Sequence, residues 1–202
     1  MKVLWSLLAL TAIAVAGIGA QSPAQSPAPA PPASITLDAQ LRSQFSSSQR
    51  LLTKLADVMP ADAYDYRPTP EVAPFVARIA HVAASNFALC ATLLGQPNPK
   101  AGVDLEKTIA DKSAATTVLA ESFAFCNGYA KNLSASTLGD TYTSNVVTPD
   151  GKRTPTPTNR AGLFAYLVNH NNEMYGYLAM YLRLKGLVPP SSDSAGRGRG
   201  GR

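Results

Sequence analysis

The sequence predicts an all-α fold: a four-helix bundle with one long crossover connection. Three observations predict it. Apolar residues recur at helical spacing in four segments, proline and glycine close those segments, and no stretch alternates well enough to build a convincing sheet.

The bundle occupies only part of the 202 residues. Met1 and Lys2 precede an apolar run from Val3 to Ile18, closed by Gly19 and Ala20. One charge, a short apolar stretch and a small residue predict a signal peptide over 1–20. The run is short for a bilayer span of about 20 residues, so no membrane contact is expected after cleavage. Residues 21–34 are Pro, Ala, Ser and Gln, a composition that predicts a disordered linker. Residues 191–202, rich in Ser, Gly and Arg, predict a disordered tail. The domain is therefore expected over 35–190, in a protein exported to the periplasm or secreted.

The formal charge of +5 belongs mostly to the ends. Lys2, Arg197, Arg199 and Arg202 lie outside 35–190, which holds 14 Lys and Arg against 12 Asp and Glu. That balance makes no basic face and excludes nucleic acid as the expected partner.

The first helix is expected from about Asp38 to Val58, with Leu41, Phe45, Leu52, Leu55 and Ala56 on one face. Met59-Pro60 ends it. Pro60 to Pro70 holds three prolines and reads as an ordered loop. The second helix begins near Val72 and ends before Gly95, carrying Phe75, Ile79, Val82, Phe87 and Cys90, with His81 beside them. The third runs from about Leu105 to Asn132, with a break near Asp111-Lys112. Residues 138–157 are the least regular part: 141–148 read either as a short strand pair or as an extended crossover, and Thr154-Pro155-Thr156-Pro157-Thr158 blocks helix. Asn159 can cap the fourth helix, which continues to about Leu184 and stops at Gly186, with Pro189-Pro190 behind it.

Cys90 and Cys126 are the only cysteines. An exported chain meets an oxidising compartment, so a Cys90–Cys126 disulfide is expected over two buried thiols. Neither has a histidine, lysine or arginine close by in sequence to lower its pKa, which argues against a catalytic thiol. Each lies late in its helix. A bridge between them requires the second and third helices to run parallel, with the intervening segment crossing back along the bundle.

Three stretches carry a resemblance to a known family. They are Met59-Pro60-Ala61-Asp62-Ala63-Tyr64-Asp65-Tyr66-Arg67-Pro68-Thr69-Pro70, the segment Ile79-Ala80-His81-Val82-Ala83, and the last helix from His170 to Pro190. In order and spacing they resemble the DinB-like superfamily of helical bundles, which includes thiol-dependent transferases. The resemblance implies an up-down-down-up bundle. It also implies a divalent transition metal such as zinc or nickel, held by one histidine from the second helix and an H-x-x-x-H pair from the fourth. The matching positions here are His81, His170 and Met174. The chain departs from the pattern at the third of these, and again at Tyr177, where the family often has Gln or Asn.

The departure bears on function. Residues 170 and 174 share a helical face. A thioether suits Cu(I) and is a poor zinc ligand. Glu173 offers a carboxylate as a different third ligand, and two histidines with one carboxylate are a sound zinc set. The alternative is a pair of histidines left in an inactive site, bonded to Tyr177, Asn169 or Asn86. The expected function is an exported binding or structural module with a degenerate metal site, taking a small ligand or a protein partner and open to homodimerisation. Tyr64, Tyr66, Tyr175, Tyr177 and Tyr181 are its candidate cleft aromatics. The second reading is a metal-dependent hydrolase or thiol transferase using His81, His170 and either Glu173 or Met174. No paired carboxylates, nucleophile motif or phosphate loop points to other chemistry.

Overall fold

The computed structural model describes residues 34–147 and 151–193. The expected signal peptide, nearly all of the expected linker and most of the expected tail lie outside the described residues. Five helices and one hairpin follow in order: α1 (Leu37–Val58), α2 (Phe75–Leu94), α3 (Leu105–Thr108), α4 (Lys112–Ala130), β1 (Thr141–Val147), β2 (Arg153–Asn159) and α5 (Arg160–Leu184). The four long helices are those expected, and α3 is a single turn inside the crossover.

Local chemistry sets the boundaries. α1 starts one residue before Asp38, so that acid sits inside the first turn, where it accepts from Arg42 at 2.7 Å. α2 starts at Phe75, three residues later than expected, because Pro74 disfavours helical geometry in the residue before it. The break before α4 is a new cap, with Asp111 Oδ1 accepting from the Ala114 amide at 2.8 Å. Asn159 caps α5 in the same way through the Gly162 amide, as expected. Gly95 and Gly186 close α2 and α5 with φ of 64° and 74°, a left-handed geometry that a side chain would strain. The Gln96 and Leu187 amides then bond back to Ala91 and Leu182.

Contacts between helix ends give the topology. The rings of Phe45 and Phe164, early in α1 and α5, lie 5.3 Å apart, so these two helices run parallel. The Arg160 guanidinium at the start of α5 donates to the Thr92 and Leu93 carbonyls at the end of α2, so those run antiparallel. Lys112 at the start of α4 donates to the Asp57 and Met59 carbonyls at the end of α1. Arg42 in α1 reaches the Leu133 carbonyl just past α4. In each case a cation at the start of one helix satisfies carbonyls at or just past the end of an antiparallel neighbour, where the helix dipole favours positive charge. The order is up, down, down, up. Cys90 and Cys126, late in the parallel α2 and α4, are joined by a disulfide with a Cα separation of 5.2 Å.

The core runs the length of the bundle. Phe45, Phe75, Phe123 and Phe164 are fully buried among Leu52, Leu55, Ile79, Leu119, Leu167 and Leu178. α2 is long and apolar enough by composition to cross a bilayer, but more than half of it is buried inside the bundle.

The segment left open between strand pair and crossover is an antiparallel hairpin, with Thr141 opposite Asn159 and Val147 opposite Arg153. Pro155 and Pro157 keep helix out of β2, and they are tolerated because a two-stranded ribbon has an outer edge that needs no N–H donors. The ordered chain also extends past Pro190. Pro190–Ser192 form a 3-10 turn, and the Ser191 amide donates to the Tyr175 hydroxyl at 2.8 Å.

Candidate functional site

α2 and α5 run antiparallel, and this brings His81 level with His170. His81 lies in the second turn of α2, a position fixed by where Pro74 lets that helix begin. The two Nε2 atoms face each other at 3.3 Å, and the ring centroids lie 5.4 Å apart. On the far side of His81, Nδ1 lies 2.7 Å from Glu106 Oε1. Glu106 comes from α3, the single turn in the crossover, and is half exposed, with 41% of its side chain open to solvent.

The hydrogen bonds assign the tautomers. A carboxylate only accepts, so His81 carries its proton on Nδ1 and presents a lone pair at Nε2. His170 then donates from Nε2 to His81. Its own Nδ1 is left as a buried acceptor without a partner among the described residues. Burial holds the pKa of His170 below its ordinary value, the nearby His81 lowers it further, and Glu173 partly opposes both. At neutral pH His170 is an uncharged imidazole.

Beside the pair is a cavity of about 360 Å³, lined by His81, Ser85, Ala88, Leu89, Tyr166 and His170. The other expected site residues are placed differently. Met174, one turn after His170, is 4% exposed and packs into the main core. Glu173 lies on the outside of α5, where its carboxylate accepts from the Tyr177 hydroxyl at 3.3 Å. Tyr177, Asn169 and Asn86 do not bond the histidines, contrary to the expectation for an inactive pair. Tyr177 is turned to Glu173, and Asn86 donates to Ser122 Oγ at 3.1 Å. The histidines instead bond Glu106 and each other.

The candidate aromatics also separate. Tyr64 is buried and donates to the Ala56 carbonyl, Tyr175 binds Ser191, and Tyr66 packs edge-on against Tyr181. Tyr177 and Tyr181 line a second cavity on the same α2/α5 seam.

The donor set decides which metal the site fits. Among the described residues, no three His, Cys, Asp or Glu side chains are grouped to hold an ion. Two imidazoles converge, the third family position is a core thioether, and Glu106 sits on the nitrogen that faces away. These residues do not fit a three-imidazole zinc or nickel centre. Glu106 and Tyr166 were not expected from sequence. No spacing links Glu106 to His81, 25 residues earlier, and only the crossing of the Gln96–Lys112 segment over α2 joins them.

Residues 44–178, more than half of the chain and spanning both histidines, match the DinB superfamily. A DinB-like protein of Bacillus cereus aligns over 74% of this chain and 93% of its own, with a TM-score of 0.55 at 14% identity. A conserved protein of Enterococcus faecalis aligns over 75% and 98%, with a TM-score of 0.58 at 14% identity. At such identities the likeness shows the fold alone. No curated protein sequence matches the chain. Family membership rests on the sequence match, which runs from α1 into α5 and takes in both histidines: the chain belongs to the DinB superfamily.

Proposed function

We propose that this chain is an exported ligand-binding member of its superfamily, with the α2/α5 seam as its working surface and a degenerate metal site within it. One observation carries the reading. The third ligand position is Met174, packed in the core, while His81 and His170 bond each other and His81 also bonds Glu106. The Cys90–Cys126 bridge supports export, because such bonds persist in oxidising compartments. Elemental analysis of the purified protein beside a Met174→His variant tests it. The expected result is no stoichiometric metal in the wild type and zinc or nickel in the variant. Equimolar metal in the wild type overturns the reading.

A second reading, a divalent-metal hydrolase or thiol transferase, is favoured by the spacing of the pair. Two nitrogens bound tetrahedrally at about 2.0–2.1 Å stand roughly 3.3–3.4 Å apart, and the Nε2 atoms are 3.3 Å apart. A carboxylate on the other ring nitrogen is also how metal-binding histidines are commonly oriented. A metal there would activate a thiol or water as nucleophile. The third donor would be Glu173, after leaving Tyr177, or Met174. This reading requires His81→Ala to lose both the metal and any activity.

A further inference from the structure

The larger cavity on the α2/α5 seam, about 430 Å³, is lined by Pro68, Val72, Arg78, Tyr177, Met180 and Tyr181. Its walls are firmly built. The Tyr181 hydroxyl donates to the Ala73 carbonyl at 2.7 Å, and its ring packs against Phe75 at 6.0 Å and edge-on against Tyr66 at 6.2 Å. The Phe75 amide bonds back to the Tyr66 carbonyl at 2.9 Å, which fixes the loop that carries Pro68 and Val72.

Arg78 is the one charged residue in α2. It lies three residues before His81 and is half buried. Its guanidinium makes no hydrogen bond or ion pair among the described residues. Two carboxylates close in sequence to the lining residues have partners of their own. Glu173 accepts from Tyr177, and Glu71 is held below its ordinary pKa by its own backbone amide and by Thr69. A guanidinium stays ionised and presents a planar fork that matches a carboxylate. An arginine left unpaired on an apolar wall is therefore a ready-made anchor for an anion.

The remaining lining is apolar or amphipathic. Met180 and Tyr177 are 59% and 55% exposed. A thioether adapts to flexible chains, and a tyrosine ring offers an apolar face. The volume falls within the range of small-molecule sites. We infer that this cavity binds an amphiphilic monocarboxylate, with the head group on the Arg78 fork and the apolar tail along Val72, Tyr177, Met180 and Tyr181. The inference rests on the seam being a ligand-binding surface. It needs no metal, and so it stands or falls apart from the elemental analysis above.

Calorimetric titration of the purified protein with decanoate tests it, with 1-decanol as the uncharged control. Arg78→Gln removes the charge, and Arg78→Lys keeps the charge but loses the fork. Thermal melts of both variants check folding. The expected result is saturable, one-to-one decanoate binding, at least tenfold weaker in Arg78→Gln and intermediate in Arg78→Lys. Decanol should bind no tighter to the wild type than to Arg78→Gln. Absence of saturable decanoate binding overturns the assignment, and so does equal binding by wild type and Arg78→Gln or by decanoate and decanol.

Discussion

Helix α2 meets α4 on one side and α5 on the other, and the two seams are built to different rules. Against α4 it places Ala80, Ala83 and Phe87 beside Val118, bonds Asn86 to Ser122, and closes with the Cys90–Cys126 bridge. Against α5 it places Arg78 and His81, and two cavities open along the line of contact. The first seam is closed by a covalent bond, apolar side chains and one buried, uncharged hydrogen bond. The second keeps an unpaired cation, an imidazole pair and a half-exposed carboxylate. Polar groups of that kind cost stability when held near a core, so their concentration on one seam separates holding the fold from meeting a ligand.

The largest expected effect breaks the first seam. The Cys90→Ala/Cys126→Ala double variant should lose about 4 kcal/mol, the chain-entropy value for the enclosed loop, measured by urea denaturation. On the second seam, His81→Ala should change stability by about 1 kcal/mol or less, as substitutions outside a packed core do. Equal losses on the two seams would remove the distinction. Reductant should move the wild type toward the double variant and leave His81→Ala at its own offset from the wild type.

Much of the closed seam was legible in the sequence. Two late cysteines, in a chain whose N-terminus predicts export, imply a bridge, and a bridge implies parallel helices, because straight antiparallel ones would hold the sulfurs at opposite ends. The caps at Asn159 and Gly186 follow from local residue chemistry, and so does the break before Lys112. The open seam was half legible. His81 and His170 could be named from the family likeness, but Glu106 could not, because its role depends on where a single helical turn lands after a crossover. Arg78 carries a signal in the sequence itself: it is a lone charge in a 20-residue apolar helix. The apolar pattern extends to Val72 across Pro74, but the proline's restriction of the residue before it outweighs that pattern and α2 begins at Phe75.

A smaller effect sharpens the role of Glu106. If it orients His81, it should matter once a third imidazole is supplied. In the Met174→His background, Glu106→Gln should lower zinc affinity by roughly 10–100-fold, the usual consequence of losing the partner of a liganding histidine. Competition with a chelator of known affinity measures it. Unchanged affinity would make the Glu106 contact a surface hydrogen bond with no hold on the ring.

The smallest effect is a pH dependence, and its sign follows from His170. Burial and the neighbouring His81 place its folded pKa below the ordinary 6.5. The unfolded chain therefore takes up this proton first as pH falls. The contribution of neutral His170 is complete above about pH 6.5 and is lost as the pH drops from there toward the folded pKa. Most carboxylates begin to titrate nearer pH 4, which leaves the upper part of this window to His170. The groups that bear on the slope are His81, whose Nε2 meets the ring and whose Nδ1 is tied to Glu106, and the charge of Glu173, which opposes the shift. Urea denaturation at intervals between pH 7.5 and about pH 5 should show stability falling in the wild type and a flatter profile in His170→Gln. A wild-type profile that rises on acidification would mean that the pair gains from a proton, with the imidazolium shared between His170 and His81 and balanced by Glu106. The open seam would then hold its own charge pair, and only Arg78 would remain to receive an anion.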